Sequence, residues 1–423
     1  MPLPRVIPAL ADLTQDIAGP VPVQLLRDWA TGEQDPSAAE ALLSPFQVQG
    51  AVVASDTSGL TRLTQESDLL DVLSLISRPK EIVHALGREI GGRAIGTWVA
   101  DNTKMLYPAG LELEMIVEAM SEAQARIQER LPVRIGMCIH SGSFFEIGGG
   151  LYGTDADTVE YLAEQCAGPG EILLTGRVVR QLKSLGSGEG APRLFPKTLP
   201  REHSPELVFV VQSNRRAPWL QETETFYPHP FPPDFYGLLS RLGESLDVEE
   251  IKRRIYEQWL RERTVVFLAR HRGPLEARSP APSLDGLLDD LVMNALMDTV
   301  IREMMSGRNQ IASSGGGIAI LTFDTPQEGI GFARDLRAKL AENGLPVQVA
   351  IDAGPVLLFQ NSRGPSGIAG DPINVASKLA EDVGKPGCIR VTERAFTHPE
   401  DASGQQRFEV TLSGITLKGV ILN

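Results

Sequence analysis

One feature constrains this chain before any other: it contains itself twice. LPVRIG at 131–136 returns as LPVQVA at 345–350, which places Pro132 and Pro346 214 positions apart. Val159 and Ile373 sit in two helix-like segments, DADTVEYLAEQ (155–165) and IAGDPINVASKLAE (368–381), and are also 214 apart. PGEILLT at 169–175 and PGCIRVT at 386–392 are 217 apart. Three anchors at nearly one offset predict two homologous domains in tandem, each built from the same order of elements.

The rest of the chain fits around that duplication. At 423 residues there is room for two such units, each with its own core. A hydrophobic share of 42% with 22% charged residues is that of a globular domain pair. The net charge of −14 argues against a general nucleic-acid binder, because a phosphate backbone would be repelled. No apolar run is long enough to span a bilayer, and the opening MPLPRVIPAL lacks a long apolar core, so the expectation is a cytoplasmic protein. Cys138, Cys166 and Cys388 are too few and too scattered for a disulfide framework, and the six histidines show no metal-ligand spacing.

Residues 1–47 are punctuated by Pro4, Pro8, Pro20, Pro22, Pro36 and Pro45. That spacing predicts short helices near Ile7–Ile17 and Val21–Thr31 in a packed extension rather than one long stalk. In 48–212, VQGAVVAS reads as a strand closed by a turn at Asp56-Thr57-Ser58-Gly59. A helical pattern follows over Leu69–Ile90, expected to break at Pro79. Residues 94–107 read as a hairpin, 111–130 as an amphipathic helix and Val133–His140 as a strand. Gly148, Gly149 and Gly150 read as a turn. Residues 213–261 combine a stiff Pro- and aromatic-rich linker, carrying Trp219, Phe226, Tyr227, Phe231, Phe235 and Tyr236, with a helix from about Val248. Strands and helices then recur in the same order through 262–423.

The segment from Gly370 to Glu381 resembles the signature helix GDxVNxAxRLE of class III nucleotidyl cyclases, and 155–165 resembles an altered copy. The match covers roughly 48–185 and 262–396. The resemblance implies an α+β chain of two ferredoxin-like-core domains that pair as an intrachain pseudo-heterodimer behind the short N-terminal helical extension. In that family, attack of a ribose 3′-oxygen on the α-phosphate of ATP or GTP makes a cyclic nucleotide. Two aspartates from one domain hold Mg²⁺ or Mn²⁺. An Asn and an Arg from the other orient the ribose and meet the developing charge.

Carried over position by position, SDTSGLT resembles ADIxGFT and puts Asp56 on the first metal aspartate. Thr97 falls on the second, a weak substitute for a carboxylate. Glu160 and Glu164 fall on the Asn and Arg positions, where each would repel a triphosphate by about 4 kcal/mol before screening. In the second half Arg270 and Gly317 fall on the metal positions, Asn374 and Lys378 on the Asn and Arg, and Ser313 and Gly367 on the base-reading pair. Lysine keeps the arginine's charge and loses its bidentate fork. The implied composite site joins Asp56 with Asn374 and Lys378.

Three functions follow as expectations. The first is a degenerate cyclase homologue that senses a nucleotide (ATP, GTP or a cyclic nucleotide) or docks a protein partner. The second is a weak adenylate or guanylate cyclase using Asp56, with Asp101 or Asp155 as a second ligand. The third is a structural or assembly protein without nucleotide.

Overall fold

The structure is a computed structural model and describes residues 21–58, 68–98, 101–182, 192–199, 207–212, 216–222, 226–242, 247–271, 283–305, 311–361, 364–396, 405–412 and 415–422. The helix expected near Ile7–Ile17 lies outside them.

Two helices, α1 (Val23–Thr31) and α2 (Pro36–Leu43), precede the first sheet. Pro36 sits at the start of α2, where its missing N–H costs nothing, and Asp35 caps the helix by accepting from the Ala38 amide. The first half then runs β1 (Gln47–Thr57), α3 (Leu69–Glu89), β2 (Arg93–Ala94), β3 (Thr103–Pro108), α4 (Leu113–Arg130), β4 (Ile135–Ile147), β5 (Gly150–Tyr152), α5 (Thr154–Tyr161), β6 (Ile172–Thr175), α6 (Gly176–Gln181), β7 (Arg193–Lys197) and β8 (Val208–Gln212). Between the halves stand α7 (Pro233–Leu239) and α8 (Val248–Trp259). The second half runs β9 (Leu260–Arg270), α9 (Leu284–Met304), β10 (Ile311–Gly315), β11 (Ile318–Phe323), α10 (Pro326–Glu342), β12 (Val347–Asn361), β13 (Gly364–Ala369), α11 (Asp371–Glu381), β14 (Ile389–Thr392), β15 (Gln406–Leu412) and β16 (Ile415–Leu422).

The two sheets have the same order. The first is β2-β3-β1-β4-β6-β8-β7 with β5 on β4; the second is β10-β11-β9-β12-β14-β16-β15 with β13 on β12. The central strands are apolar on both faces, as sheets covered on both sides require. In the first half Val53, Met105 and Ile139 face α3 and α4, while Val52, Ala54 and Cys138 face α5. In the second, Val266, Leu268 and Ile351 face α9 and α10, while Val265, Phe267 and Ala350 face α11.

Pro79 does not break α3, which runs on as one helix through Glu89. The proline is buried against the core, and the packing of Leu73, Ile76, Val83 and Leu86 outweighs the hydrogen bond it removes. The linker is not loose either. Tyr227, Phe231, Phe235 and Tyr236 are buried in the core of the first half. Glu122 of α4 fastens its entry, accepting from Arg126 Nε at 2.7 Å, Arg216 Nε at 2.9 Å and the Ala217 amide at 2.9 Å.

The halves hold each other reciprocally. Ile147 on β4 packs with Leu25, Leu26 and Trp29 of α1 and with Leu288 and Leu291 of α9. Phe359 on β12 packs with Phe231, Phe235 and Trp259 and with the α3–α4 core. Trp29 Nε1 donates to Asp289 Oδ1 at 2.8 Å, and Lys252 of α8 meets Asp71 of α3 at 2.7 Å. Each half's leading helix therefore lies on the other half's first long helix.

Candidate functional site

The duplicated backbone gives a way to match positions that sequence anchors in other elements cannot. The Gly170 amide donates to Ile135 O, and the Gly387 amide donates to Val347 O, so Ile135 matches Val347. Thr57 lies opposite Ile135, and Arg270 lies opposite Val347. Arg270 therefore matches Thr57, and the counterpart of Asp56 is Ala269. This corrects the expected placement of Arg270. Its side chain is on the far face of the sheet, donating to Asn294 Oδ1 at 2.8 Å and Asp290 Oδ1 at 2.5 Å on α9.

The neighbouring strand corrects a second position. Ser55 lies opposite Thr103 and Leu268 opposite Ala319, so Asp101 matches Gly317. Gly317 holds its assigned place in the second half, but in the first half that place belongs to Asp101 rather than Thr97. The loop from β2 to β3 is longer than the β10–β11 turn, and Thr97 is exposed near its start. Asp101 comes back beside β1, where Thr57 Oγ1 donates to its carbonyl at 3.4 Å.

The two signature helices give a third correction. Each begins after a glycine at positive φ, Gly153 at 102° and Gly370 at 154°. A Cβ on Gly370 would lie 3.1 Å from Pro355 O and 3.2 Å from Val356, so only glycine fits. Counted from these glycines, Asn374 matches Asp157 and Lys378 matches Tyr161. Glu160 and Glu164 match Ser377 and Glu381 instead. Glu160 pairs with Lys104, and Glu164 stands on the π-helical turn Leu162–Cys166 that extends α5.

A buried polar network seats each of these helices. In the first half His140 meets Thr175 Oγ1 at 3.0 Å and Asp155 Oδ1 at 3.1 Å, and Arg177 donates to Asp155 at 2.9 Å. In the second, Asp352 accepts from Thr392 and Arg394, and Arg394 also reaches Asp371 at 2.5 Å. Asp155 is committed to this network, and His140, the Ser143 amide and Arg177 hold its carboxyl below the usual range against the effect of burial. It is not a second ligand beside Asp56.

The residues coupled to one another electrostatically are instead Asp56, Asp101 and Lys378. Burial, then Asp101 and Glu164, push the Asp56 carboxyl up to about 7; Lys378 opposes them. Burial raises Asp101, opposed by its backbone bond, Lys80 and Lys378. Burial pushes the Lys80 ammonium down to about 8, opposed by Asp101. Lys378 is thus a cation of the second half acting on two carboxylates of the first. Asn374 lies one turn before it on the same helical face, and its side chain is exposed. Ser313 is exposed on β10, and Gly367 on β13 has Pro230 O 3.5 Å from the point a Cβ would occupy.

Among the described residues no three His, Cys, Asp or Glu side chains gather as a metal cluster. Carboxylate oxygens are the ligand type that suits Mg²⁺ or Mn²⁺, and the burial that raises Asp56 and Asp101 is a cost such an ion would relieve. The motif points to Thr97, with Asp101 as an alternative second ligand, and strand register singles out Asp101. Lys80, on α3, is not read as a site residue from the sequence.

A cavity of about 420 Å³ lies elsewhere, at the opposite end of β1, lined by Gly50, Pro108, Ser141, Gly142, Asp155 and Arg177 among others. Among the described residues no helix is long and apolar enough to cross a membrane.

No family model and no curated protein matches the chain. Solved structures do. A class III adenylyl cyclase-like ATP-binding protein from Pseudomonas aeruginosa is 12% identical over 82% of this chain and 84% of its own, with a TM-score of 0.45. The guanylate cyclase domain of RhGC from Catenaria anguillulae, solved with GTP, is 13% identical over 40% of this chain and 99% of its own, with a TM-score of 0.34. The adenylyl cyclase CyaB from P. aeruginosa is 16% identical over 40% and 96%, with a TM-score of 0.33.

Proposed function

We propose that this chain is a degenerate tandem homologue of class III nucleotidyl cyclases, paired within itself as a pseudo-heterodimer, that binds a nucleoside triphosphate and acts through binding rather than cyclisation. The supporting observation is Lys378 of the second half acting on Asp56 and Asp101 of the first. In this reading Asp56 and Asp101 hold a Mg²⁺ or Mn²⁺ ion, which when bound neutralises phosphate charge. Lys378 meets the phosphates, and Asn374, one turn away, reaches the ribose.

Several features weigh against turnover. Lysine presents a point charge where a planar fork would track the transition state. Glu164 adds a third carboxylate next to Asp56 and Asp101. Ser313 is small and Gly367 has no side chain, so base recognition is weak. The matching positions of the mirror-image pair are Ala269, Gly317, Asp157 and Tyr161, which offer neither a metal-holding aspartate pair nor a cation for the phosphates.

A second reading has one observation in its favour. Asp101 beside Asp56 restores the carboxylate pair that a two-metal mechanism needs, so a slow cyclase is the alternative. Purified protein with Mn²⁺ and ATP or GTP is expected to yield no cyclic nucleotide. Turnover abolished by Asp56→Ala would select the alternative. Thermal shift with ATP, GTP, cAMP and cGMP separates both from a purely structural role: a ligand at a hundred times its Kd adds about 2.7 kcal/mol to stability. Absence of any shift would leave an assembly module.

A further inference from the structure

The repeated segments PGEILLT and PGCIRVT align Glu171 with Cys388 and Leu173 with Arg390. The two copies differ there in charge. In the first half the Glu171 carboxylate pairs with Lys197 of β7 and accepts from the Gly168 amide at 2.7 Å, while Leu173 is core. In the second half a thiol stands in place of the carboxylate, and a guanidinium in place of the leucine.

That guanidinium is buried. Arg390 is 7% exposed, and its Nη1 has no hydrogen-bond partner among the described residues. Opposite it on β12 stands Ala350, which packs with Leu379 and Ala380 of α11. A guanidinium keeps its charge, so apolar surroundings impose a cost that a neighbouring anion offsets. Burial holds its pKa below the ordinary arginine value, opposed by Cys388.

Strand geometry places Cys388 beside it. Ile389 and Val391 of β14 lie in the core with α9 and α10. Arg390 therefore occupies the other face, and Cys388, one residue before Ile389, shares it. Positions two apart on an extended strand are separated by about 6.6 Å, within the reach of an arginine. Cys388 ends the turn that follows α11, where its amide donates to Lys385 O at 3.1 Å. Its thiol is half-buried and not in a disulfide.

We propose that Cys388 is a site of oxidative modification, at which a peroxide converts the thiol to an oxyacid whose anionic oxygen pairs with Arg390. Sulfur attacks one peroxide oxygen, the O–O bond breaks and an S–O bond forms. Sulfur is oxidised by two electrons, the peroxide is reduced, and its second oxygen leaves as water with the thiol proton. A second peroxide carries the sulfenic acid to sulfinate by the same exchange. The product puts an oxygen anion where the first half has Glu171.

The test treats the full chain with hydrogen peroxide and dimedone, which traps sulfenic acid. Mass spectrometry then counts dimedone adduct and sulfinic acid together at each cysteine over time. Cys166, half-buried like Cys388, is the internal control. Cys388 is expected to be modified about tenfold faster than Cys166, the worth of one hydrogen bond to a charged group. Arg390→Leu, which installs the residue the first half carries at this position, is expected to remove that advantage. Equal rates at the two cysteines overturn the inference, and so does a Cys388 rate unchanged by Arg390→Leu. The comparison within the unaltered chain decides the matter even if Arg390→Leu does not fold.

Discussion

Residues in this chain are legible by type and illegible by face. Asp56 and Lys378 were readable from the motif because their neighbours in sequence carry the match. Arg270 was not, because a strand turns over every residue and a one-place shift puts a side chain on the other side of the sheet. Here that shift carries Arg270 from the site to α9. Asp101 reads only as an alternative second ligand, because extra residues in the β2–β3 loop detach it from the pattern that points to Thr97. Lys378→Ala is expected to abolish the thermal shift produced by ATP while changing the melting temperature of the free protein little, since Lys378 is only half-buried; differential scanning fluorimetry reads both. A second residue tests burial alone. Asp298 on α9 is 4% exposed with an Oδ1 that lacks a hydrogen-bond partner, and burial raises its carboxyl to about 6 against Arg302. The folded form holds its proton to a higher pH than the unfolded form, so this group's contribution declines as pH climbs from about 4 to about 6 and is absent above that. Asp298→Asn should flatten that decline and stabilise the protein at pH 8 by about 1–3 kcal/mol, seen as a higher urea midpoint at pH 8 than at pH 4.5 relative to the parent.

Elements were more legible than residues. The tandem repeat, the order of strands and helices and the aromatic linker all follow from periodicity and composition, because burying an apolar face fixes an element whatever its exact register. The exceptions are local. Pro79 reads as a helix break, and the surrounding core overrides it. The linker reads as a stiff Pro- and aromatic-rich segment, and four of its aromatics, Tyr227, Phe231, Phe235 and Tyr236, go inside while Trp219 and Phe226 stay exposed. Glu122 is the fastening of that linker. Burial alone would raise its carboxyl, but Arg216, the Ala217 amide and Arg126 bring it down to about 2. Its contribution is complete above the ordinary carboxylate range and is lost only as pH falls through about 2. Glu122→Ala leaves Arg126 and Arg216 without their shared partner and should cost about 3 kcal/mol, measured by denaturant unfolding at neutral pH. Phe359→Ala, at the end of β12 that enters the first half, should cost about 3–4 kcal/mol. It should also loosen the linker, seen as faster amide exchange at Tyr227–Tyr236.

At the scale of the whole molecule, pairing within one chain is supported by contacts that run both ways: α1 on α9, and α8 on α3. Residues 1–212 and 213–423 produced as separate chains are each expected to expose the apolar face its partner covers, and to recover a one-to-one complex when mixed. Multi-angle light scattering would show two monodisperse, non-associating fragments if the reciprocal packing were incidental. The same reciprocity has a consequence in time. Trp29 and its partner Asp289 are 260 positions apart, and a ribosome adds roughly 5–20 residues per second. Trp29 therefore waits roughly 13–52 s for its partner on α9, and Ile147 at the end of β4 waits roughly 7–28 s for Leu288. A newborn chain of this design spends that interval as a client for trigger-factor-like holdases, and synthesis stalled between the halves should yield aggregates rather than a folded amino-terminal domain.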